Sequence, residues 1–309
     1  MSRFSEYLAK ARRSPSRSPE RLPSGTRPTL VYALDGFLGA GSAPRLAASH
    51  LLDDDDGEVL ASLDVDGYYD YRARRPPMVF DRDRYADYED PTLQVRLQKD
   101  AVGTPYLLLC GPEPDFRWEQ FVADVHDVIE EYDVDLSVGI GAVPMGVPHT
   151  RPLVITAHGN RKELVDRRNL WSGQLMVPSS AQALLELRLG ELGHDAVGYV
   201  VHVPHYLAQV EYPSAALALL DAVSQRSGLQ FDLEALKLSQ AEALVDIEKQ
   251  IADQDGGAVL AGLEEQYDAF TRGANESLLA SDEDLPSGEE LGRQFERFLA
   301  RIDKREQSD

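Results

Sequence analysis

Short apolar runs alternate with stretches of helical periodicity along this chain, from residue 29 to about residue 230. Runs typical of buried strands span 29–34, 105–110, 136–143 and 196–203, and apolar residues at helical spacing fill 118–132. A helix between two strands carries the chain back along one face of a sheet, so that the strands lie parallel. The sequence therefore predicts an α/β core with a mostly parallel sheet.

The strand patterns stop at about Asp232. Apolar residues at helical spacing instead predict three further helices, at about 233–251, 259–270 and 291–302, the last one after an acidic linker at 281–290. A chain of 309 residues accommodates one large α/β domain with such an appendage. We therefore expect a basic tail over 1–28, a core domain over 29–230 and a helical extension over 231–305.

The charge of the chain is divided unevenly. Residues 1–28 carry seven Lys or Arg against two Glu, a balance of +5, so residues 29–309 carry −27 within the total of −22. The Ser, Pro and Arg of the tail cannot bury enough apolar surface to order it, and we expect disorder there. The acidic body argues against nucleic acid and membranes as partners, because binding to phosphates depends on Lys and Arg.

A single cysteine, Cys110, leaves no partner for an internal disulfide. No apolar run reaches the ~20 residues that a membrane-spanning helix needs, and the start of the chain has no apolar centre typical of a secretory signal. We therefore expect a cytoplasmic protein. Cys110 ends a predicted strand, where a free cysteine is more often a small buried residue than a nucleophile.

A glycine-rich turn joins the first predicted strand to the first helix, over Asp35-Gly36-Phe37-Leu38-Gly39-Ala40-Gly41-Ser42. Such a turn at a helix N-terminus can hold a phosphate or carboxylate through its backbone N–H groups. The lysine of a nucleoside-triphosphate loop and the third glycine of a dinucleotide fingerprint are both missing. A tight turn also requires glycine for its own geometry, so that both an anion site and a purely structural turn remain open.

Two Val-Pro-His segments follow two predicted strands, with His149 after the first and His205 after the second. Loops at the carboxyl ends of parallel strands are where α/β proteins collect ligands and catalytic groups. An imidazole titrates near neutral pH, which makes both histidines candidate general acids or bases. The alternative is that each histidine bonds to backbone in a rigid loop.

The histidine spacing does not favour a metal site, because His202 and His205 have neither a helical spacing nor a cysteine companion. We expect no metal and no cofactor. Arg151 would bind a carboxylate or phosphate through its two-pronged guanidinium, or pair with one of the chain's many acids. The candidate ligand-binding residues are Asp35, Gly36, Gly39, Gly41, Ser42, His149, Arg151, His205 and Tyr206.

Three local patterns carry further expectations. The segment from Tyr68 to Tyr88 is rich in Tyr, Arg, Asp and Pro, which predicts a long excursion with little regular structure. Asp115 precedes the helix at 118–132 and is expected to cap it. Ser179 with Gln182 predicts a capping box for a helix that ends near residue 192.

Three segments together resemble the proteasome assembly chaperone 2 family, in particular its actinobacterial members. They are Tyr32-Ala33-Leu34-Asp35-Gly36-Phe37, Gly146-Val147-Pro148-His149-Thr150-Arg151-Pro152 and His202-Val203-Pro204-His205-Tyr206-Leu207. The resemblance covers roughly residues 28–230, and the helices at 232–305 are similar to an extension of the bacterial members. It implies a three-layer α/β/α sandwich similar to purine nucleoside phosphorylases and related hydrolases, without their catalytic residues.

Eukaryotic and archaeal members of that family bind proteasome α-subunits and help the ring to assemble. The resemblance therefore implies a non-catalytic protein-binding protein with an assembly-chaperone-like role and proteasome α-subunits as partners. Analogy with phosphorylase-like folds implies a homo-oligomer, with a trimer as one form.

The residues themselves also allow a hydrolase or phosphorylase acting on a nucleoside or a phosphate-bearing small molecule. In that reading the glycine-rich turn supplies backbone donors, Arg151 binds the charge, and His149 or His205 moves a proton. The sequence leaves this enzyme as the alternative to a binding protein.

Overall fold

A computed structural model describes residues 22, 25–53, 57–165, 174–253 and 256–276 of the chain. Two predictions concern residues outside these ranges. The basic tail falls almost wholly outside the described residues, and so does the third helix of the extension, at 291–302.

The strands follow the predicted alternation closely. They are β1 (Thr29–Asp35), β2 (Glu58–Ser62), β3 (Met78–Asp81), β4 (Arg84–Tyr88), β5 (Gln94–Lys99), β6 (Pro105–Pro112), β7 (Leu136–Met145), β8 (Ile155–Gly159) and β9 (Ala196–Pro204). The helices are α1 (Ala43–Asp53), α2 (Val65–Tyr68), α3 (Trp118–Glu131), α4 (Ala181–Glu191), α5 (Pro213–Ser227), α6 (Glu234–Asp253) and α7 (Gly257–Glu276). None of these helices is long and apolar enough to span a bilayer.

Seven strands form one sheet in the order β2-β5-β6-β1-β7-β9-β8. The central strands β6, β1, β7 and β9 pair in parallel. Strands β5 and β8 run against them, and β2 is antiparallel to β5 and so returns to the common direction. Five of the seven strands (β2, β6, β1, β7 and β9) therefore point the same way, and the prediction of a mostly parallel sheet is confirmed.

Helices cover both faces of this sheet, because side chains alternate between the faces along each buried strand. In β1, Val31 and Ala33 join the core beneath α1, α5 and α6. Leu30 and Leu34 point the opposite way, into the core beneath α3 and α4. The three-layer α/β/α sandwich is thus confirmed, with α6 and α7 as its helical extension.

The expectation of little regular structure between Tyr68 and Tyr88 is wrong for its second half. Strands β3 and β4 pair as an antiparallel hairpin that is not part of the main sheet. Its strands contain the β-forming residues Val79, Phe80 and Tyr85. The turn at Arg82 adopts φ of +58° without glycine or asparagine, which removes the usual sequence sign of a hairpin.

Two predicted helix caps are also wrong. Asp115 does not cap α3, which begins after Arg117. The Asp115 carboxylate instead accepts hydrogen bonds from the Asp70 N–H and from Arg74. The N-cap of α4 is Ser180 rather than Ser179, with its Oγ accepting from the Ala183 N–H at 3.0 Å. Tertiary contacts override the local pattern in both cases.

Candidate functional site

The carboxyl ends of the four central parallel strands open at one edge of the sheet. Because these strands share one direction, the turns after β1, β6, β7 and β9 all leave from this edge. The candidate residues from the glycine-rich turn and from both Val-Pro-His segments belong to these turns. Topology therefore brings the predicted site residues to one edge.

The two Val-Pro-His segments meet through His149 and Tyr206. The backbone N–H of His149 donates to the Tyr206 Oη at 2.9 Å, and the His149 Nδ1 lies 2.8 Å from the same oxygen. The two rings also pack edge to face, with centroids 6.0 Å apart. His205 is exposed, and its ring also packs edge to face against Tyr206, with centroids 5.4 Å apart.

Burial keeps both partners of this contact uncharged near neutral pH. It raises the pKa of Tyr206 to about 12 and lowers the pKa of His149, against an opposing effect of Glu248 and Glu264. The Tyr206 hydroxyl thus contacts two groups of His149, its backbone N–H and its Nδ1, and the second ring nitrogen of His149, Nε2, takes no part in this contact. That Nε2 is buried and has no hydrogen-bond partner among the described residues.

The glycine-rich turn binds a carboxylate of the chain itself. Glu113, which follows β6, accepts the Phe37 N–H through Oε2 and the Ala181 N–H at the start of α4 through Oε1, both at 2.7 Å. A Cβ on Gly36 would lie 2.1 Å from the Glu113 Oε2, so that only glycine fits there. Sequence reasoning missed Glu113, although its position in Gly-Pro-Glu-Pro after a strand marked it as a loop residue at the same edge.

Other groups of the same turn pair with the chain as well. The Gly41 N–H donates to the Ala208 carbonyl at 2.8 Å, and the Ala142 N–H donates to the Leu38 carbonyl at 2.7 Å. Gly41 has φ of +63°, and a Cβ there would lie 3.0 Å from the Tyr212 Cβ. These contacts join the glycine-rich turn to β7 and to the turn between β9 and α5.

Arg151 forms a two-pronged ion pair with the helical extension. Its Nε and Nη2 donate to the two oxygens of Asp268 at 2.8 and 2.9 Å, and its Nη1 donates to Glu264 at 3.2 Å. Tyr267 adds a bond from its Oη to the Pro152 carbonyl at 2.8 Å. Of the two alternatives for Arg151, the structure places it with acids of α7. Glu264 and Asp268 lie four residues apart on α7. The sequence shows this spacing, but it does not indicate which residue the two acids contact.

His202 lies inside the sheet rather than at its edge. Its Nε2 is 2.9 Å from the Thr156 Oγ1, and burial lowers its pKa from 6.5 to about 4. His158, on the edge strand β8, bonds through Nδ1 to Glu186 at 2.8 Å. Across the described ranges, no group of three or more His, Cys, Asp or Glu is placed to hold a metal ion.

A groove lies between α5 and α6, beside the turn that carries His149 and Arg151. We call it the α5–α6 groove; its volume is about 600 Å³. Its apolar lining is Leu153, Ile155, Leu217, Ala218, Leu233 and Leu244. The polar side chains along it include Asp221, Lys237 and Gln240. Seven of its fourteen lining residues carry polar or charged side chains, and binding clefts combine apolar walls with such groups.

A family model described as the PAC2 family matches residues 33–252. Among solved structures, a Mycobacterium tuberculosis protein of unknown function is 45% identical, with a TM-score of 0.79 over 83% of this chain and 90% of that one. A PAC2 family protein from Streptomyces avermitilis is 27% identical, with a TM-score of 0.65 over 75% of this chain and 99% of that one.

A further similar structure is described as a proteasome-assembly chaperone homologue of Mycobacterium tuberculosis. It is 25% identical, with a TM-score of 0.67 over 72% of this chain and 95% of that one. Among curated proteins, none matches the chain. The family match covers most of the sheet, the edge turns and helix α6. This chain therefore belongs to the PAC2 family.

Proposed function

We propose that this chain is a non-catalytic protein-binding protein with an assembly-chaperone-like role in the cytoplasm. Its partners are proteasome α-subunits, and it associates with copies of itself. Membership of the PAC2 family and likeness to a proteasome-assembly chaperone homologue support this direction. The chemistry of the strand-end edge and the exposed hairpin supply the physical argument.

The hairpin β3–β4 is the observation that carries the proposal. All its strand residues are exposed, and Phe80 and Tyr85 remain 60% and 74% exposed although their rings stack at 5.2 Å. An isolated two-stranded hairpin is only marginally stable in water, and its free edges and apolar side chains favour contact with another protein. A binding surface accounts for these features better than a catalytic one.

The polar groups at the strand ends support binding over catalysis for a second reason. The Phe37 N–H is occupied by Glu113, the guanidinium of Arg151 by Asp268, and the Nδ1 of His149 by Tyr206. Electrostatic catalysis depends on donors directed at the position of the substrate. Polar groups that are already paired within the chain stabilise the fold instead.

An assembly assay tests this function. Purified proteasome α-subunits are mixed with a substoichiometric amount of the chain, and ring formation is followed by native mass spectrometry. We expect faster ring formation with the wild type and a loss of this effect with Phe80→Asp/Tyr85→Asp. Val102→Asp, at an exposed residue outside the hairpin, is the matched control. Equal rates with and without the chain would refute the assembly role.

Light scattering after size exclusion tests self-association separately. The wild type is expected to elute as a homo-oligomer and the hairpin double variant with a smaller mass. A monomeric wild type would refute self-association and leave the α-subunit assay to decide the rest of the proposal.

A further inference from the structure

The α5–α6 groove exposes apolar side chains to an open space of about 600 Å³. Leu217 and Ala218 contribute from α5 and Leu244 contributes from α6, with Ile155 of β8 at their side. Removing apolar surface from water is favourable by about 25 cal/mol per Å². The groove therefore favours an occupant with apolar side chains.

Three polar side chains along the groove already have partners within the chain. Gln240 donates to the Ser214 Oγ at 3.2 Å, Lys237 donates to Glu234 at 2.7 Å, and Arg151 is held by Asp268. A polar metabolite would have to displace these contacts to bind the same three side chains, although His149, whose buried Nε2 has no partner among the described residues, also lines the groove. An amphipathic helix requires no such exchange, because its backbone groups are paired internally.

Residues 291–302 of this chain have the sequence pattern of such a helix. Ser287 and Glu290 precede them at capping-box spacing. Their apolar residues recur at helical intervals: Leu291, Phe295, Phe298, Leu299 and Ile302. This segment lies outside the described residues, and its helical pattern is a property of its sequence.

The charges of the segment and of the extension are opposite. Residues 291–302 contain three arginines against one glutamate, a balance of +2. Helix α6 contains five acids against two lysines, and α7 contains four acids against one arginine, so that each carries −3. Opposite net charges favour the approach of the segment to the helical extension, of which α6 lines the groove; the charged side chains of the lining itself are Arg151, Lys237 and Asp221.

The connection is long enough for docking within one chain. Asp268 and Tyr267 of α7 bond beside the groove, and α7 ends at Glu276 about 12 Å further along its axis. Residues 277–290 number 14 and span up to about 46 Å when extended. The segment can therefore return from the end of α7 to the groove.

We propose that residues 291–302 dock in the α5–α6 groove of their own chain through their apolar face. The docked segment covers Ala218, Leu217 and Leu244, and anything else that binds there must displace it. This inference concerns a surface apart from the hairpin and does not depend on the assembly role.

Cysteine accessibility in the full chain tests this docking. The single native thiol is removed by Cys110→Ser, and a reporter is introduced by Ala218→Cys in the groove. We expect Phe298→Asp to raise the rate of maleimide labelling at the reporter about tenfold, which corresponds to ~1.4 kcal/mol of docking free energy. Ala300→Asp is the matched control, since residue 300 lies on the opposite side of the predicted helix, and it should leave the rate unchanged.

A second reporter separates docking from general loosening of the fold. Leu238→Cys lies on the exposed outer side of α6 and should label at one rate in all variants. An unchanged rate at the groove reporter with Phe298→Asp would overturn the proposal. Protection that is lost on dilution would also overturn it, because the occupant would then be a second copy of the chain. Equal acceleration at both reporters would assign the effect to unfolding and contradict docking.

Discussion

Tyr206 joins the turn after β9 to the turn after β7 by receiving the backbone N–H of His149 at 2.9 Å and lying 2.8 Å from its Nδ1. One phenol oxygen thus satisfies two groups of a residue 57 positions earlier in the chain. The contact gives the two Val-Pro-His segments a structural role that does not require a substrate.

Tyr206→Phe removes this oxygen while keeping the ring. It leaves a partly buried N–H and an imidazole nitrogen without their partner, and such losses cost about 1–3 kcal/mol. We expect a corresponding fall in the free energy of unfolding, measured by urea denaturation. His205→Ala, at the exposed neighbour, should change it much less; equal losses would contradict the role assigned to Tyr206.

Gly36→Ala is expected to destabilise the chain, because the new Cβ would lie 2.1 Å from the Glu113 Oε2 and 2.4 Å from its Cβ. Forced overpacking of this kind typically costs about 1–3 kcal/mol. Glu113→Ala alone also destabilises, since the Phe37 and Ala181 N–H groups lose their acceptor. The double variant should lose less free energy of unfolding than the sum of the two single losses. A double-mutant cycle based on thermal unfolding would measure this difference. Simple additivity would argue against this close approach.

The glycine-rich turn illustrates what the sequence can and cannot predict. Its strand, its turn and the following helix all appear where the apolar pattern and the glycines place them. The carboxylate that binds the Phe37 N–H comes from Glu113, 76 residues away, and no local pattern encodes that distance. Element order is thus a local property, whereas the partners of exposed donors are decided by tertiary contacts.

The errors have similar physical causes. The N-cap of α4 lies one residue later than predicted. The Gln182 side chain donates to the Ile140 carbonyl instead of closing a capping box. The sequence does not predict the hairpin, because its turn holds Arg82 in a left-handed conformation. Glycine or asparagine normally occupies such a position and marks the turn in a sequence. In both cases a contact outside the local pattern, or a strained turn, outweighed the average preference of the residues.

The ion pair between Arg151 and Asp268 should couple the β7–β8 turn to α7. It holds the pKa of the Asp268 carboxyl below its usual range through the guanidinium hydrogen bonds. A double-mutant cycle with Arg151→Ala and Asp268→Ala should show a favourable coupling that weakens in 1 M salt, where charges are screened beyond about 3 Å. Zero coupling at low salt would show that α7 is held by other contacts, such as the buried Leu263.

Acid should destabilise the fold through His202. Burial lowers its pKa from 6.5 to about 4, so between these values the unfolded chain binds a proton that the folded chain does not. The stability due to the neutral imidazole is fully present above pH 6.5 and is lost as the pH falls towards 4, by about 3 kcal/mol. His202→Gln should lose less stability than the wild type between pH 7 and pH 4.5 in urea titrations. Parallel pH profiles would contradict this assignment.

The proposed function requires that the chain binds proteasome α-subunits, with the exposed hairpin as a contact surface. Biolayer interferometry with immobilised full-length chain and purified α-subunits from the same organism tests it most directly. We expect saturable binding that Phe80→Asp/Tyr85→Asp weakens at least about tenfold, equivalent to ~1.4 kcal/mol, and that Val102→Asp leaves intact. Absence of binding by the wild type, or equal binding by the hairpin variant, would contradict it.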